Sequence, residues 1–132
     1  MSDEERYEQI LLVLEDLEEM SYDCVILVEG RRDVTALNHL GIYGDFYTVQ
    51  SSGGPLKAAE YVFSTKKKAV ILTDWDRKGD IIASDLAIQL SALDIQYDLS
   101  VRDRLASLCR IDIKDVQSLD ELVNRLAEMN IR

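Results

Sequence analysis

Two aspartates separated by a single residue are the side chains in this sequence best placed to do chemistry. Asp74 and Asp76 follow residues 69–72, an apolar, β-rich run that predicts a strand buried on both faces. Residues two apart in an extended chain point the same way, so both carboxylates are expected to face one spot. Such carboxylates repel each other unless a cation lies between them, and Mg²⁺ is commonly held by one or two carboxylates with waters and phosphate oxygens. By itself, the pair is equally compatible with the cap of an ordinary loop.

A glutamate closes a second apolar run and is a candidate third member of the site. Residues 25–28 predict another buried strand, which ends at Glu29 and Gly30. In an open α/β sheet, ligands bind at the edge formed by the carboxyl ends of the strands. Glu29 can share a metal with Asp74 and Asp76 only if the two strands are neighbours. This requires the strand order 2-1-3-4, which places the switch point of the sheet between strands 1 and 3.

The hydrophobic periodicity along the chain predicts alternating strands and helices. Predicted helices span residues 3–20, 31–40, 55–65, 80–93, 100–109 and 118–130, and the two remaining predicted strands span residues 45–50 and 95–99. The pattern indicates an α/β fold: a four-stranded, mostly parallel, Rossmann-like sheet of order 2-1-3-4 with helices on both faces. We expect one domain over residues 1–132, with a core at about 22–110 between the two terminal helices.

Local signals predict where several helices begin. Gly79 is expected to open a turn before the helix at residues 80–93. Ser100 is expected to cap the next helix. Ser118 and Glu121 form a capping-box pattern at the start of the last one.

Composition limits the classes of function. The 132 residues are 47% apolar and 30% charged, the balance of a globular protein, and no apolar run approaches the ~20 residues that span a bilayer. The acidic N-terminus resembles neither a signal peptide nor a transit peptide. Cys24 and Cys109 lie far apart without metal-type spacing, which indicates free thiols in a cytoplasmic protein without a membrane partner. His39, the only histidine, lies in the last turn of its helix, which favours a surface role over catalysis.

The formal net charge of −10 weighs against a strong unaided grip on nucleic acid, because such binding depends on neutralising phosphates. It favours a protein partner that delivers the substrate. Residues 66–68 are three consecutive lysines, but they precede the strand that leads to Asp74. They are therefore expected at the opposite edge of the sheet, as the solvated end of a helix.

In combination, two motifs resemble the Toprim domain. The first, VILVEGRRD, ends a strand with Glu29 and carries Gly30 and Asp33; the second, TDWDRKGD, ends a strand with the aspartate pair and carries Gly79. Toprim domains are shared by topoisomerases, bacterial-type primases, OLD-family and recombination-repair proteins, and a group of ribosomal-RNA maturases. The resemblance covers about residues 22–110, and the chain is similar in size to the small stand-alone Toprim proteins of archaea and bacteria.

The resemblance implies a role for each acidic residue. By position, Glu29 would be the general acid/base, and Asp74 and Asp76 would be ligands of Mg²⁺ or Mn²⁺. Asp80 stands where many relatives have a glutamate, so it would add a metal ligand or a water contact. Trp75 is bulkier than the small residue or proline common between the two aspartates.

Basic side chains beside both motifs, together with a serine–glycine loop, are candidate phosphate contacts. The loop precedes a predicted helix, whose N-terminal amides can bind an anion, although a plain turn explains it equally well. With the motif residues included, the expected phosphate- or substrate-binding set is Gly30, Arg31, Arg32, Asp33, Ser52, Gly53, Arg77, Lys78 and Gly79.

Three hypotheses of function follow. Phosphoryl transfer needs cations on phosphate oxygens and a positioned proton donor or acceptor, which favours a metal-dependent nuclease or nucleotidyl/phosphoryl transferase acting on RNA or DNA. The alternative is a non-catalytic module that binds phosphate ends through Mg²⁺ inside a processing complex. A response-regulator-like receiver ranks last, because its acidic pair would follow strand 1. No zinc ligand set is present, and none of the six tyrosines is marked as a nucleophile.

Overall fold

The computed structural model describes residues 1–130, whose strands form one parallel sheet. The strands are β1 (Cys24–Val28), β2 (Asp45–Thr48), β3 (Lys68–Ile71) and β4 (Tyr97–Asp98). Their order across the sheet is β2-β1-β3-β4, and each neighbouring pair is parallel. The predicted α/β fold and strand order are therefore confirmed. Because β1 and β3 are neighbours, the residues that follow them emerge side by side at one edge of the sheet.

Helices cover both faces of this sheet. They are α1 (Asp3–Met20), α2 (Arg31–His39), α3 (Gly54–Thr65), α4 (Arg77–Ala92), α5 (Ser100–Cys109) and α6 (Leu119–Asn130). Apolar side chains of α1, α2, α5 and α6 form the core on one face, and those of α3 and α4 form the core on the other. Within residues 1–130, no helix combines the length and apolarity needed to cross a bilayer.

The central strand β1 supplies both cores, because side chains alternate across a sheet. Ile26 and Val28 pack with α1, α2, α5 and α6, which together form the four-helix layer. Val25 and Leu27 pack with α3 and α4 on the other face. All five residues of β1 are buried. Burial on both faces explains why this strand reads as an uninterrupted apolar run.

Two predictions for the segment between α4 and α5 differ from the structure. The predicted strand at residues 95–99 is shorter, because the Ile95 amide donates to the Leu90 carbonyl at 3.0 Å and closes α4 instead of pairing with the sheet. The Ser100 cap is also wrong: the Asp98 carboxylate accepts from the Val101 amide at 3.1 Å and caps α5. In both places the backbone amide finds a different acceptor from the one predicted: the Leu90 carbonyl for Ile95 and the Asp98 carboxylate for Val101.

Candidate functional site

The carboxyl edge of the sheet brings Glu29 and Asp74 into direct contact. Glu29 follows β1, and Asp74 lies in the loop between β3 and α4. The Glu29 Oε2 atom accepts from the Asp74 amide at 2.8 Å, and its Oε1 atom accepts from the Gln50 side-chain amide at 3.1 Å. Glu29 is only 7% exposed, so these two bonds fix the orientation of a buried carboxylate.

Gln50 reaches this position because β2 and β1 remain paired beyond the last residue of β2. The amides of Val49 and Gln50 donate to the carbonyls of Val28 and Glu29, at 2.8 and 3.1 Å. The backbone of Gln50 therefore lies beside that of Glu29, and its side chain turns to the same carboxylate. The predicted extent of this strand, residues 45–50, agrees with that pairing.

The Asp74 carboxylate is partly buried among other negatively charged side chains. Its Oδ1 atom accepts from the Val116 amide at 3.0 Å. The pKa of Asp74 is raised to about 7, mainly because the group is buried. The negative charges of Glu29, Asp115 and Asp76 act in the same direction, whereas the Val116 bond opposes them. A carboxyl group that resists ionisation among other acids would gain from a cation beside it.

Asp76 lies close to Asp74 but also has a structural role. Its Oδ1 atom accepts from the Gly79 amide at 2.7 Å, which makes Asp76 the N-cap of α4. The helix therefore begins at Arg77, three residues earlier than predicted, and Gly79 lies in its first turn and does not open a turn of its own. The amide of Gly79 donates to this cap and is not presented to a phosphate.

Gly79 allows the first turn of α4 to pass directly against the loop that carries the acids. A Cβ atom on Gly79 would lie 1.8 Å from the Asp74 carbonyl oxygen, a backbone atom that cannot rotate away. The Thr73 hydroxyl, which is fully buried, donates to the Gly79 carbonyl at 2.8 Å and holds the two segments together. A residue without a side chain is therefore required at this position.

We expect Gly79→Ala to destabilise the protein by at least ~3 kcal/mol, the upper range for forcing extra volume into a packed region, and to displace Asp74. Gly30→Ala is the matched control, because no atom lies within 4 Å of a Cβ atom there. Urea unfolding of the two variants measures the difference. Equal free energies of unfolding for both would contradict the close approach.

Asp80 forms an ion pair with Arg102, a residue that the sequence pattern does not mark. Its Oδ1 atom lies 2.7 Å from the Arg102 Nη2 atom, in an ion pair whose aspartate side chain is 62% exposed. Its expected role as a further metal ligand stays a prediction, and this ion pair competes with it.

Asp33 and Gly30 interact with each other at the start of α2. The Gly30 amide donates to the Asp33 carboxylate at 3.0 Å, and Asp33 is 4% exposed. Burial raises the pKa of Asp33 to about 6, and the charges of Asp74 and Asp115 contribute in the same direction. Asp33 thus orders the turn after Glu29, and its burial leaves little of its surface open to a substrate.

The four basic side chains predicted as phosphate contacts lie on the surface, next in sequence to the acidic centre formed by Glu29, Asp74 and Asp76. Arg31 and Arg32 begin α2, directly after the Glu29 turn, and Arg77 and Lys78 begin α4, directly after Asp76; all four are exposed. The loop before α3 is exposed as well. In that loop the Ser52 carbonyl accepts from the Tyr47 hydroxyl at 2.8 Å, and Gly53 has φ 102°, a left-handed conformation that suits glycine.

Four residues at the site escaped the sequence analysis: Gln50, Arg102, Asp115 and Val116. A polar residue at the end of the strand next to Glu29 was a usable signal for Gln50. No local pattern marks Arg102 within its helix, and the segment around Asp115 gave no clear periodicity. These residues reach the site only through tertiary structure.

The donor atoms at this edge fit a partly hydrated Mg²⁺. Within residues 1–130, no three acidic, histidine or cysteine side chains approach closely enough to enclose a metal ion. Mg²⁺ does not need such a cage, because it keeps several waters and takes one or two carboxylates. Asp74 and Asp76 can supply these carboxylates. Burial, followed by the nearby negative charges, raises the pKa of Asp74, and a cation beside this group would oppose both effects.

Comparison with known proteins agrees with this geometry. The family model of the Toprim domain matches residues 24–104, which carry both acidic motifs. A UPF0292 protein of Methanosarcina barkeri is 37% identical over 92% of this chain and 85% of its own length, and the one from Methanocaldococcus jannaschii is 31% identical over 95% and 98%. A solved structure described as a putative protein from Aquifex aeolicus has a TM-score of 0.69 at 25% identity, covering 82% of this chain and 95% of that one.

The sheet order and the two acid-bearing strand ends are those of a Toprim domain. The chain belongs to this family, and small archaeal UPF0292 proteins are among its relatives. Membership in the Toprim family indicates a metal-dependent function connected with nucleic acid.

Proposed function

We propose that this protein catalyses Mg²⁺- or Mn²⁺-dependent phosphoryl transfer, of the nuclease type, on RNA or DNA. The observation that carries the proposal is the contact between Glu29 and the Asp74 amide at 2.8 Å. It joins a candidate proton-transfer group to a candidate metal ligand at the edge where α/β sheets bind their ligands. Phosphoryl transfer requires little more than these two functions in the right positions.

Each residue of the site has a role in this proposal. Asp74 and Asp76 hold the hydrated cation, which offsets negative charge on phosphate oxygens when it is bound. Glu29 takes up or releases the proton of the attacking or leaving oxygen, and its bonds to the Asp74 amide and the Gln50 side chain fix its orientation.

Four basic side chains bind the phosphate backbone on either side of the acidic centre: Arg31, Arg32, Arg77 and Lys78. Because these side chains are exposed, their cationic groups are accessible to a nucleic-acid strand. They supply only local positive charge on a chain of net charge −10, so we propose that a protein partner helps to deliver the nucleic acid. We place this activity in the cytoplasm, where the free thiols of Cys24 and Cys109 would stay reduced.

A second candidate function is a non-catalytic module that binds phosphate ends through Mg²⁺. The observation in its favour is that both oxygens of Glu29 already accept hydrogen bonds from the protein, which leaves the carboxylate well suited to a fixed structural role. The acidic surface also favours work inside a complex.

Labelled RNA and DNA with 5′-phosphate or 5′-triphosphate ends, incubated with the protein at low salt, separate the two functions. We expect cleavage or transfer in Mg²⁺ or Mn²⁺, none in EDTA, and none with an Asp74→Asn, Asp76→Asn double variant purified in the same way. Product formation that persists in the double variant would indicate a contaminating nuclease. Metal-dependent binding without any product across the panel would favour the module.

A further inference from the structure

The peptide unit between Thr73 and Asp74 is bonded on both sides by charged side chains. Its carbonyl oxygen accepts from Arg102 Nε at 3.0 Å, and its amide donates to Glu29 Oε2 at 2.8 Å. A peptide unit is planar, with its N–H and C=O groups on opposite sides. Fixing the carbonyl with Arg102 therefore also fixes the direction in which the amide meets Glu29, and a charged donor on the carbonyl polarises the amide and strengthens that bond.

The next peptide unit is held in the same manner. The Asp74 carbonyl accepts from Arg102 Nη2 at 2.5 Å, and the Trp75 amide donates to the Lys114 carbonyl at 3.0 Å. Both peptide planes that flank the Asp74 Cα atom are thus fixed. Their orientations set φ and ψ of Asp74, and therefore the direction in which its carboxylate leaves the backbone.

Arg102 is itself held in place. It lies on α5, 28 residues after Asp74, with only 7% of its surface exposed. The Asp80 carboxylate accepts from its Nη2 atom at 2.7 Å, which pairs the buried charge. The rigid guanidinium fork can bond two carbonyls and a carboxylate together, whereas a lysine ammonium is a single point on a flexible stem.

We propose that Arg102 is a positioning residue that sets the relative orientation of Glu29 and Asp74 for metal binding and catalysis. The proposal rests on the proposed function, since it concerns the same site, and it adds a residue that belongs to neither acidic motif. Arg102 acts through the backbone on either side of Asp74 and does not contact the substrate. Loss of the Arg102 guanidinium would leave Glu29 and Asp74 in the chain but would make their relative orientation less well defined.

Arg102→Gln and Arg102→Lys test the proposal, with Arg104→Gln as the matched control. Arg104 lies on the same helix as Arg102 and also pairs with an aspartate, at 2.7 Å. This aspartate is Asp16 of α1, which belongs to neither acidic motif. Loss of Arg104 removes the same charge and one exposed ion pair, which contributes little to stability.

The first measurement is amide hydrogen exchange of the metal-free proteins. We expect exchange at the Asp74 amide to rise about tenfold or more in Arg102→Gln, because its bond to Glu29 loses its fixed geometry. The Leu72 amide, which donates to the Leu27 carbonyl at 2.8 Å within the sheet, should exchange at the wild-type rate. A merely structural role would speed exchange at both amides together, and this result would overturn the proposal.

The second measurement is Mn²⁺ affinity at a temperature where the variants are folded. We expect a loss of ~10- to 100-fold in Arg102→Gln, the usual effect of removing a partner that orients a metal ligand. Arg102→Lys, which keeps the charge but not the fork, should fall between this variant and the wild type, and Arg104→Gln should bind as the wild type does.

The outcomes separate this proposal from the proposed function. If the wild type binds no Mn²⁺, the proposed function fails, and the exchange rate of the Asp74 amide still decides the role of Arg102. If Arg102→Gln does not fold, Arg102→Lys replaces it in both measurements. Wild-type exchange at Asp74 in a folded Arg102 variant would overturn the proposal, as would wild-type Mn²⁺ affinity in Arg102→Gln.

Discussion

Glu29→Gln should lower turnover on a cleavable nucleic acid by ~10²- to 10⁴-fold, the contribution that a positioned acid or base usually makes. The substitution nearly preserves size but removes the ability to take up a proton at neutral pH. Metal affinity should change much less, because the proposed ligands Asp74 and Asp76 are both retained. Rates measured at saturating Mg²⁺, together with separate Mn²⁺ binding, distinguish the two effects.

The local structure should tolerate Glu29→Gln. The carboxylate accepts from two N–H groups, and a glutamine can accept from only one of them through its carbonyl oxygen. The Gln50 side-chain amide can reverse and offer its own oxygen to the new NH₂ group, which restores both bonds. We therefore expect a loss of stability of no more than ~1 kcal/mol.

Glu60→Gln is the control for the change in charge, because Glu60 is exposed on α3 and makes a long ion pair with Lys57, at 3.6 Å. This variant should retain full activity. Cleavage that continues undiminished in Glu29→Gln would remove the proton-transfer role assigned to that residue. A loss of metal binding equal to the loss of turnover would instead make Glu29 a part of the metal site.

Millimolar Mg²⁺ should raise the melting temperature measured in EDTA. A ligand present at about 100 times its Kd stabilises the native state by ~2.7 kcal/mol, which for a chain of this length corresponds to roughly 10 °C. The physical cause is the relief of repulsion among carboxylates at the end of the sheet. Thermal melts in EDTA, Mg²⁺ and Mn²⁺ measure the effect.

The size of this metal effect should depend on pH. Asp74 ionises near its ordinary pKa in the unfolded chain, whereas its pKa in the fold is about 7. Between these values the Asp74 carboxyl of the metal-free folded protein holds more protons than that of the unfolded chain, so its contribution to stability falls as pH rises from about 4 to about 7. Asp33, whose pKa in the fold is about 6, adds to the same fall. Mg²⁺ competes with the Asp74 proton, so its stabilising effect should grow over this range.

Asp74→Asn separates the contribution of Asp74 from other titrations. It removes the charge but keeps the shape, and we expect both a flatter pH dependence in EDTA and a much smaller response to Mg²⁺. If the melting temperatures in EDTA and Mg²⁺ differ by the same amount at pH 5 and pH 8, the proton and the metal do not compete at Asp74. If they do not differ at all, the metal site itself is wrong.

The strand order of the sheet and the contact between Glu29 and Asp74 could both be predicted from the sequence pattern. The apolar runs before Glu29 and Asp74 are short, uninterrupted and followed by glycine or charge, which is the pattern of strands buried on both faces. Once β1 and β3 are neighbours in a parallel sheet, the residues that follow them must share an edge. The contact between Glu29 and Asp74 is therefore a consequence of topology, and the topology could be predicted.

The orientation of each side chain at that edge depends on contacts between distant parts of the chain. The strand alternation that the sequence analysis applied to Asp74, Trp75 and Asp76 ends with β3 at Ile71, so their directions follow from contacts instead. Asp76 turns to cap α4, and Trp75 is buried against the four-helix layer, where its indole donates to the Ile113 carbonyl at 2.8 Å.

Long-range contacts also supply the groups that hold Asp74. Val116 bonds its carboxylate from 42 residues away, and Arg102 bonds its carbonyl from 28 residues away. A local pattern reports propensity and periodicity, but it does not contain the distance between a helix and a loop that lie far apart in the sequence. The sequence therefore determined which acids meet, and packing among α4, α5 and the segment before α6 decided how they are aimed.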